Sequence, residues 1–194
     1  MPIIICLSGL IGAGKTTILD LLTKELRLKH FSVSVALSQR AGRANQPVNQ
    51  YAKKLIENMG KTGIIRMMLL QIKRQLKGEK GIVIESIFRP EELELIKQTF
   101  PNDDVFLFAI NARKQLRIRR VMKREGIGKH KARVTVRIWD SRRNEYGFEK
   151  MKKLADLVLS SEQKTKKKTQ EEIEKAIKKK QVLRMIKAIK QRHA

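Results

Sequence analysis

The sequence lacks the features of a secreted or membrane protein. Cys6 is the only cysteine among 194 residues, so no intramolecular disulfide can form and a reducing cytoplasm is expected. No apolar run approaches the roughly 20 residues that a membrane-spanning helix needs. The N-terminus also lacks the basic region of a signal peptide. We therefore expect a cytoplasmic protein without a membrane partner.

Acidic residues are scarce as well. Nineteen Asp and Glu face 44 Lys and Arg, which gives a formal net charge of +25 and a pI near 10.5. Such a charge attracts polyanions, whether nucleotides, RNA or an acidic surface. The apolar fraction of 41% still suffices for a sizeable core, which excludes a wholly disordered chain.

The most specific pattern is a glycine-rich loop after a short apolar strand. Residues 9–16 read Gly-Leu-Ile-Gly-Ala-Gly-Lys-Thr, a Walker A sequence, and a helical pattern follows. Its glycines let backbone N–H groups turn inward at a helix N-terminus and bind phosphate. Lys15 is expected to reach the β- and γ-phosphates of ATP or GTP, and the Thr16 hydroxyl to bind Mg²⁺. The predicted nucleotide-binding residues of the loop are Gly9, Gly12, Ala13, Gly14, Lys15, Thr16 and Thr17.

Predicted strands and helices alternate along the chain. The alternation favours an α/β P-loop NTPase fold, a five-stranded parallel sheet with helices on both faces. Apolar runs predict strands at residues 3–7, 31–37, 82–85, 105–110 and 157–159, with a loop at 38–49.

Glu85 ends the third predicted strand, where a magnesium-binding carboxylate is expected in a P-loop protein. Asp103 and Asp104 precede a strand, which would place them at the opposite edge of the sheet. We interpret Glu85 as the metal carboxylate, and a plain surface charge is the alternative. Since the usual residue is Asp, the longer side chain implies a water-mediated or shifted metal.

The segment Glu85-Ser86-Ile87-Phe88-Arg89 resembles the Asp-Gly-Phe-Pro-Arg motif of nucleoside monophosphate kinases. In that family the acid serves the metal and the arginine holds the acceptor phosphate, which the resemblance implies for Glu85 and Arg89. Arg117, Arg120 and Arg124 resemble the helix that leads into a kinase lid. The resemblance implies that Arg120 and Arg124 contact adenine and phosphate.

The pattern Asp140-Ser141-Arg142, followed by Gly147 and Ala155-Asp156, resembles archaeal predicted nucleotide kinases related to dephospho-CoA kinase. The resemblance covers roughly residues 1–160 and implies a catalytic role for Arg142. We interpret residues 1–160 as a kinase-like core with an acceptor-binding insert at about 38–77 and a lid at about 125–145. Residues 161–194 are expected to form a basic linker and a C-terminal helix that packs on the core.

Residues 113–137 contain eleven basic residues and a single acid, Glu125. A solvated helix would mix the two signs more evenly, so we expect at least two of these arginines to contact phosphate. A purely solvent-facing role is the alternative. Trp139 is expected to anchor the lid helix to the core, with coverage of a nucleobase as the alternative.

The chain departs from the related kinases after its second predicted strand, where Ser38-Gln39-Arg40 replaces the usual acid. A kinase that phosphorylates a hydroxyl commonly uses a carboxylate base, whereas a phosphate acceptor needs none. The missing acid therefore favours a phosphate acceptor. Glu85 could act as the base instead, so a hydroxyl acceptor stays open.

The predicted function is ATP- and Mg²⁺-dependent transfer of the γ-phosphoryl group to a nucleotide-like acceptor, first of all a nucleoside monophosphate. One alternative is a kinase for dephospho-CoA or another hydroxyl, including RNA 5′-hydroxyls. The other is an RNA- or ribosome-associated P-loop ATPase. The net charge favours it, as does the tail from Ser161, which has twelve basic and four acidic residues.

Overall fold

A five-stranded parallel sheet forms the centre of the chain, with strand order β2-β3-β1-β4-β5. The computed structural model describes residues 1–161 and 166–192, with the side chains of residues 1–161 and 167–182. The strands are β1 (Ile3–Gly9), β2 (Lys29–Ser32), β3 (Gly81–Glu85), β4 (Asp104–Asn111) and β5 (Leu157–Ser160). The helices in those residues are α1 (Lys15–Lys24), α2 (Val33–Arg43), α3 (Val48–Met59), α4 (Gly63–Leu76), α5 (Pro90–Thr99), α6 (Lys114–Glu125), α7 (Lys129–Glu145), α8 (Phe148–Leu154) and α9 (Lys166–Arg192).

Both faces of the sheet are buried, which explains why its central strands are continuously apolar. Along β1, Ile4 and Cys6 pack against α2, α4, α5 and α8. Ile5 and Leu7 point to the other face and pack against α1 and α9. Burial raises the pKa of the Cys6 thiol to about 12, so this side chain stays a neutral core group. The predicted fold class is confirmed.

The second strand is shorter than predicted, because α2 begins at Val33. The Ser32 hydroxyl accepts a hydrogen bond from Val35 N at 3.4 Å and caps the helix. Val33 and Leu37 are buried at helical spacing, while Val35 is 53% exposed. The prediction of a strand over 31–37 is therefore wrong beyond Ser32. The predicted loop at 38–49 is wrong as well, since most of it is helical.

Helices α6 and α7 form an antiparallel hairpin joined by Gly126-Ile127-Gly128. Ile118, Val121, Ala132 and Val136 form its small core. The Arg117 guanidinium makes a bidentate ion pair with Asp140 across the hairpin, with distances of 2.7 and 2.8 Å. Arg117 is almost fully buried, so its role is to join the two helices.

The C-terminal helix α9 packs on the sheet through Ile173 and Ile177, both buried. Lys180 Nζ donates to Asp156 Oδ1 at 2.8 Å, and the other oxygen of this carboxylate accepts from Leu107 N. Residues 162–165 of the predicted linker lie outside the described residues, as do the side chains after 182. In the described part of the chain, none of the helices has the length and apolarity required to cross a bilayer.

Candidate active site

The Walker A loop connects the central strand β1 to the N-terminus of α1. Gly12 and Gly14 adopt φ values of +72° and +97°, which residues with a Cβ rarely adopt. A Cβ on Gly12 would also lie 2.7 Å from the Arg117 carbonyl oxygen. The first N–H groups of α1 have no intrahelical partners and point out of the helix end. This backbone suits a phosphate chain bound at the helix N-terminus.

Lys15 lies inside the loop rather than in solvent. Its Nζ donates to the carbonyl oxygens of Gly9 at 2.8 Å and Leu10 at 3.1 Å. Burial, with a smaller contribution from the nearby Arg143 and against the opposing effect of Glu85, lowers the pKa of Lys15 to about 8. A buried ammonium of this kind is stabilised by an anion placed beside it.

A cavity of about 430 Å³ opens above this loop. Of the predicted nucleotide-binding residues, Thr17 does not line it and the others do. The lining residues are Gly9, Ile11, Gly12, Ala13, Gly14, Lys15, Thr16, Ser34, Ser86, Phe88, Arg120, Arg124, Trp139 and Arg143. We call this space the donor cavity.

Arg120 and Ser161 hold the Walker A loop from the side of β5. Arg120 Nη1 donates to the Gly12 carbonyl at 3.1 Å and to Ser161 Oγ at 2.7 Å. The Ser161 hydroxyl in turn donates to the Ala13 carbonyl at 2.6 Å. Arg124 is exposed and pairs with Glu125 at 2.8 Å. Sequence reasoning missed Ser161, although it follows a strand at the carboxyl edge of the sheet, where ligands bind in α/β folds.

Glu85 ends β3 at that same edge, beside Leu7 of β1. Its Oε1 accepts from the Ser32 hydroxyl at 2.6 Å, and its Oε2 lies 3.7 Å from His30 Nε2. The carboxylate does not line the donor cavity, whereas the next residue, Ser86, does. Ser86 adopts φ +72° at the position of the glycine in the kinase motif, a conformation that strains a side-chain-bearing residue by about 1 kcal/mol.

The metal expected with a nucleotide is Mg²⁺, which prefers oxygen ligands and keeps several waters. Among the described residues no group of three or more His, Cys, Asp or Glu is arranged to hold a metal by itself. Thr16 lines the donor cavity, and Glu85 ends β3 directly before Ser86, which also lines that cavity. One hydroxyl and one carboxylate, completed by nucleotide phosphates and water, fit Mg²⁺ chemistry.

A second cavity of about 140 Å³ adjoins the first. We call it the acceptor cavity, and its lining includes Ser34, Ser86, Phe88 and Arg143, which also line the donor cavity. Arg89, predicted to hold an acceptor phosphate, lines this second cavity only. The remaining lining residues are Val33, Leu37, Ala52, Ile56, Ile64, Glu92 and Tyr146.

Arg143 occupies the junction of the two cavities, whereas Arg142 does not. Arg142, for which the resemblance implies a catalytic role, lines neither cavity, and its exposed guanidinium lies 5.5 Å from the Trp139 ring centroid. Arg143 is half-buried, and burial lowers its pKa to about 10. Trp139 lines the donor cavity with 37% of its surface exposed and is no core anchor. Trp139 and Arg143 are four residues apart and share a helix face, a signal that the sequence contained.

Residues 5–146 match the AAA domain family, which covers well over half of the chain. The chain belongs to this family. Its relatives include a UPF0200 protein of Thermococcus sibiricus, 24% identical over 164 residues that span 82% of this chain and 86% of the relative. A UPF0200 protein of Pyrococcus abyssi is 27% identical over 126 residues, or 62% and 67% of the two chains.

Solved structures share the same fold at low sequence identity. A shikimate kinase from Bacteroides thetaiotaomicron has a TM-score of 0.51 at 16% identity, covering 93% of this chain and 97% of its own. A shikimate kinase from Acinetobacter baumannii in complex with shikimate has a TM-score of 0.55 at 14% identity, covering 91% and 93%. An uncharacterized protein from Eubacterium ventriosum reaches 0.61 at 16% identity, covering 91% and 98%. The chain therefore has a P-loop kinase-like fold.

Proposed function

We propose that the protein transfers the γ-phosphoryl group of ATP to a phosphate-bearing small molecule. One observation carries this proposal: the donor and acceptor cavities share a wall, with Ser86 and Arg143 in it. A triphosphate on the Walker A loop would extend its terminal phosphate toward that wall. A nucleoside monophosphate is the acceptor class that the sequence predicts, and GTP is a second donor to test.

The charges around the wall suit phosphoryl transfer, which depends on positioning and electrostatic stabilisation. Lys15 would neutralise the β- and γ-phosphates, and Arg143 and Arg124 would approach the transferred group from α7 and α6. Thr16 and Glu85 would hold Mg²⁺, which when bound neutralises phosphate charge. With a single buried cysteine, the chain suits a reducing compartment, and we place the reaction in the cytoplasm.

The acceptor's own charge decides whether a base is needed. An anionic phosphate oxygen attacks the γ-phosphorus directly, and the bond from that phosphorus to the β–γ bridging oxygen breaks. A hydroxyl acceptor must also lose a proton. Glu85 is the candidate base in this proposal, and one of its oxygens already accepts from Ser32. A phosphate acceptor fits this arrangement better than dephospho-CoA or an RNA 5′-hydroxyl does.

A second candidate function is an ATPase that responds to a polyanion such as RNA. The observation that favours it is a basic surface on the α6–α7 hairpin. Its exposed residues are Arg113, Lys114, Arg119, Lys123, Lys129, Lys131, Arg133 and Arg137. Binding of RNA to such a surface would weaken steeply as salt is added.

A transfer assay with γ-labelled ATP tests the proposed function. The acceptors are nucleoside monophosphates, other small monophosphates, dephospho-CoA and 5′-hydroxyl RNA, and Lys15→Ala is the inactive control. We expect label in a small phosphate acceptor with the wild-type protein and none with the variant. Absence of any labelled acceptor, together with RNA-stimulated hydrolysis that salt suppresses, would establish the ATPase instead.

A further inference from the structure

The acceptor cavity is small and its walls are mainly hydrocarbon. Its volume of about 140 Å³ is a third of that of the donor cavity. Typical sites for drug-sized ligands hold about 300–1,000 Å³. Its apolar lining includes Leu37 of α2, Ile56 of α3 and Ile64 of α4, together with Phe88. The molecule that fills this space must have a compact, apolar body.

The polar groups of the cavity are poorly suited to a nucleobase. Its lining contains no Asn, Gln or Asp within the described chain, and its hydroxyl groups are those of Ser34, Ser86 and Tyr146. Its one acid, Glu92, is buried, and its Oε2 already accepts from Phe88 N at 3.0 Å and Arg89 N at 3.1 Å. Each donor or acceptor of an enclosed base that these hydroxyl and guanidinium groups leave unpaired would cost about 1–3 kcal/mol.

Two guanidinium groups in the lining make the acceptor cavity suitable for an anionic group. Arg89 Cζ lies 4.0 Å from the Tyr146 ring centroid, and Arg143 Cζ lies 3.3 Å from that of Phe88. Among the described side chains, those of residues 1–161 and 167–182, no carboxylate oxygen comes within ion-pair distance of either guanidinium. Their N–H groups remain available, and a guanidinium binds phosphate through two parallel hydrogen bonds.

We propose that the acceptor is the monophosphate of a short branched or cyclic hydrocarbon, rather than a nucleoside monophosphate. This inference rests on the proposed phosphoryl transfer and narrows its acceptor. The hydrocarbon fills the space between α2, α3 and α4, and the phosphate lies against Arg89 and Arg143. An oxygen of that phosphate forms a bond to the γ-phosphorus of ATP as the bond to the bridging oxygen breaks. The products are the hydrocarbon diphosphate and ADP.

The test compares acceptors with the purified full-length protein, ATP and Mg²⁺. Isobutyl phosphate and cyclohexyl phosphate are assayed against AMP, CMP, GMP and UMP, with diphosphate formation followed by phosphorus NMR. We expect kcat/KM for the better hydrocarbon phosphate to exceed that of every nucleotide at least about tenfold. A nucleoside monophosphate that equals or exceeds it overturns this inference and leaves the proposed function standing. Lys15-dependent ATP hydrolysis without transfer to any acceptor overturns both.

Two variants test the cavity itself. Ile56→Trp fills it from α3, so transfer to the hydrocarbon phosphate should fall at least about tenfold while the Kd for ATP stays within about twofold. Leu70→Trp makes the same kind of change at a site that is 71% exposed on α4, and should retain wild-type transfer. Leu37→Ala enlarges the cavity and should shift preference from isobutyl toward cyclohexyl phosphate. Unchanged transfer and preference in the Ile56 and Leu37 variants would overturn the inference.

Discussion

The guanidinium carbon of Arg143 lies 3.3 Å from the centroid of the Phe88 ring, and both side chains line the donor and the acceptor cavities. Stacking on an aromatic face fixes the plane of a guanidinium while leaving its edge free to donate hydrogen bonds. The ring therefore holds Arg143 at the wall that the two cavities share, which is where the proposed transfer would take place.

Replacement of Arg143 should damage transfer far more than replacement of its neighbour. We expect Arg143→Ala to lower kcat about 100-fold, the scale of losing one charge-stabilising donor. Arg143→Lys should recover little, because a lysine lacks the planar fork. Arg142→Ala is the matched comparison, and single-turnover transfer measures all three. A larger loss in Arg142→Ala than in Arg143→Ala would restore the role that the sequence motif assigned to Arg142.

Glu85→Gln tests the proposed metal carboxylate. The amide keeps an oxygen that can accept from Ser32 but loses the negative charge. The Mg²⁺ concentration for half-maximal turnover should rise about tenfold, whereas nucleotide affinity without Mg²⁺ should change little. Glu79→Gln removes a carboxylate paired with Lys29 at 3.2 Å, outside both cavities, and serves as the control. A wild-type magnesium titration in Glu85→Gln would mean that another group holds the metal.

Local sequence patterns predicted the Walker A loop and the central strands, because a few neighbouring residues are enough to specify a glycine-rich loop or a buried strand. They failed at Val33 to Leu37. There the apolar residues at 31, 33, 35 and 37 fit a strand, whereas those at 33, 36, 37 and 41 fit a helix. Short apolar segments do not distinguish these periods. The N-cap at Ser32 favours the helix, and Ser32 can serve as a cap only because β2 ends there.

The site was harder to predict, since it depends on which face each helix turns to the cavity. The Asp140–Arg117 pair, together with the buried Ala132 and Val136, orients α7 against α6. It follows that Arg143 rather than Arg142 enters the cavity. Ser161 reaches the Walker A loop only because β5 and β1 flank β4 in the sheet, a long-range relation that no local motif contains. The predicted roles of Arg89 and Glu85 remain predictions.

The Arg117–Asp140 pair should stabilise the α6–α7 hairpin. Asp140→Ala would leave the guanidinium buried without its carboxylate, lowering the free energy of unfolding by about 3 kcal/mol in urea denaturation. The double change Arg117→Met with Asp140→Leu should recover part of this loss. Glu57→Ala removes one partner of an exposed pair with Lys53 and should alter stability by less than about 0.5 kcal/mol. An Asp140→Ala loss as small as this control would show that the pair does not hold the hairpin.

The lowered pKa of Lys15 predicts proton uptake on nucleotide binding. With a pKa of about 8, the free protein loses this proton as the pH rises through 8, and a bound triphosphate raises the pKa again. Binding at pH 9 should therefore take up about one proton, and binding at pH 7 much less. Calorimetry with a non-hydrolysable ATP analogue in two buffers of different ionisation enthalpy measures the uptake. Equal uptake at both pH values would contradict the shift.

The same shift has a consequence for stability. An unfolded lysine has a pKa of about 10.4, so the unfolded chain binds more protons between pH 8 and that value. The contribution of Lys15 to the free energy of unfolding should therefore rise with pH across this window. The difference between wild type and Lys15→Met, measured in urea at pH 7.5 and 9.5, isolates that contribution. A difference that does not grow in favour of the wild type would indicate that Lys15 is solvated.

Replacement of Arg89 distinguishes the proposed kinase from an ATPase that RNA stimulates. It lines the acceptor cavity and not the donor cavity, and its guanidinium lies over Tyr146. If it holds the acceptor phosphate, Arg89→Ala should raise the acceptor KM about tenfold or more and leave basal ATP hydrolysis nearly unchanged, because no contact to the nucleotide is lost.

Arg74→Ala, at the end of α4 and outside both cavities, controls for loss of a positive charge. Added guanidinium ion should restore part of the transfer in Arg89→Ala and none in Arg143→Ala/Arg89→Ala. Rescue of this kind requires a vacated phosphate-binding position. If Arg89 were merely structural, its replacement would lower stability and guanidinium ion would not restore transfer. A fall in basal hydrolysis that matches the fall in transfer would place Arg89 in nucleotide turnover and argue against a separate acceptor site.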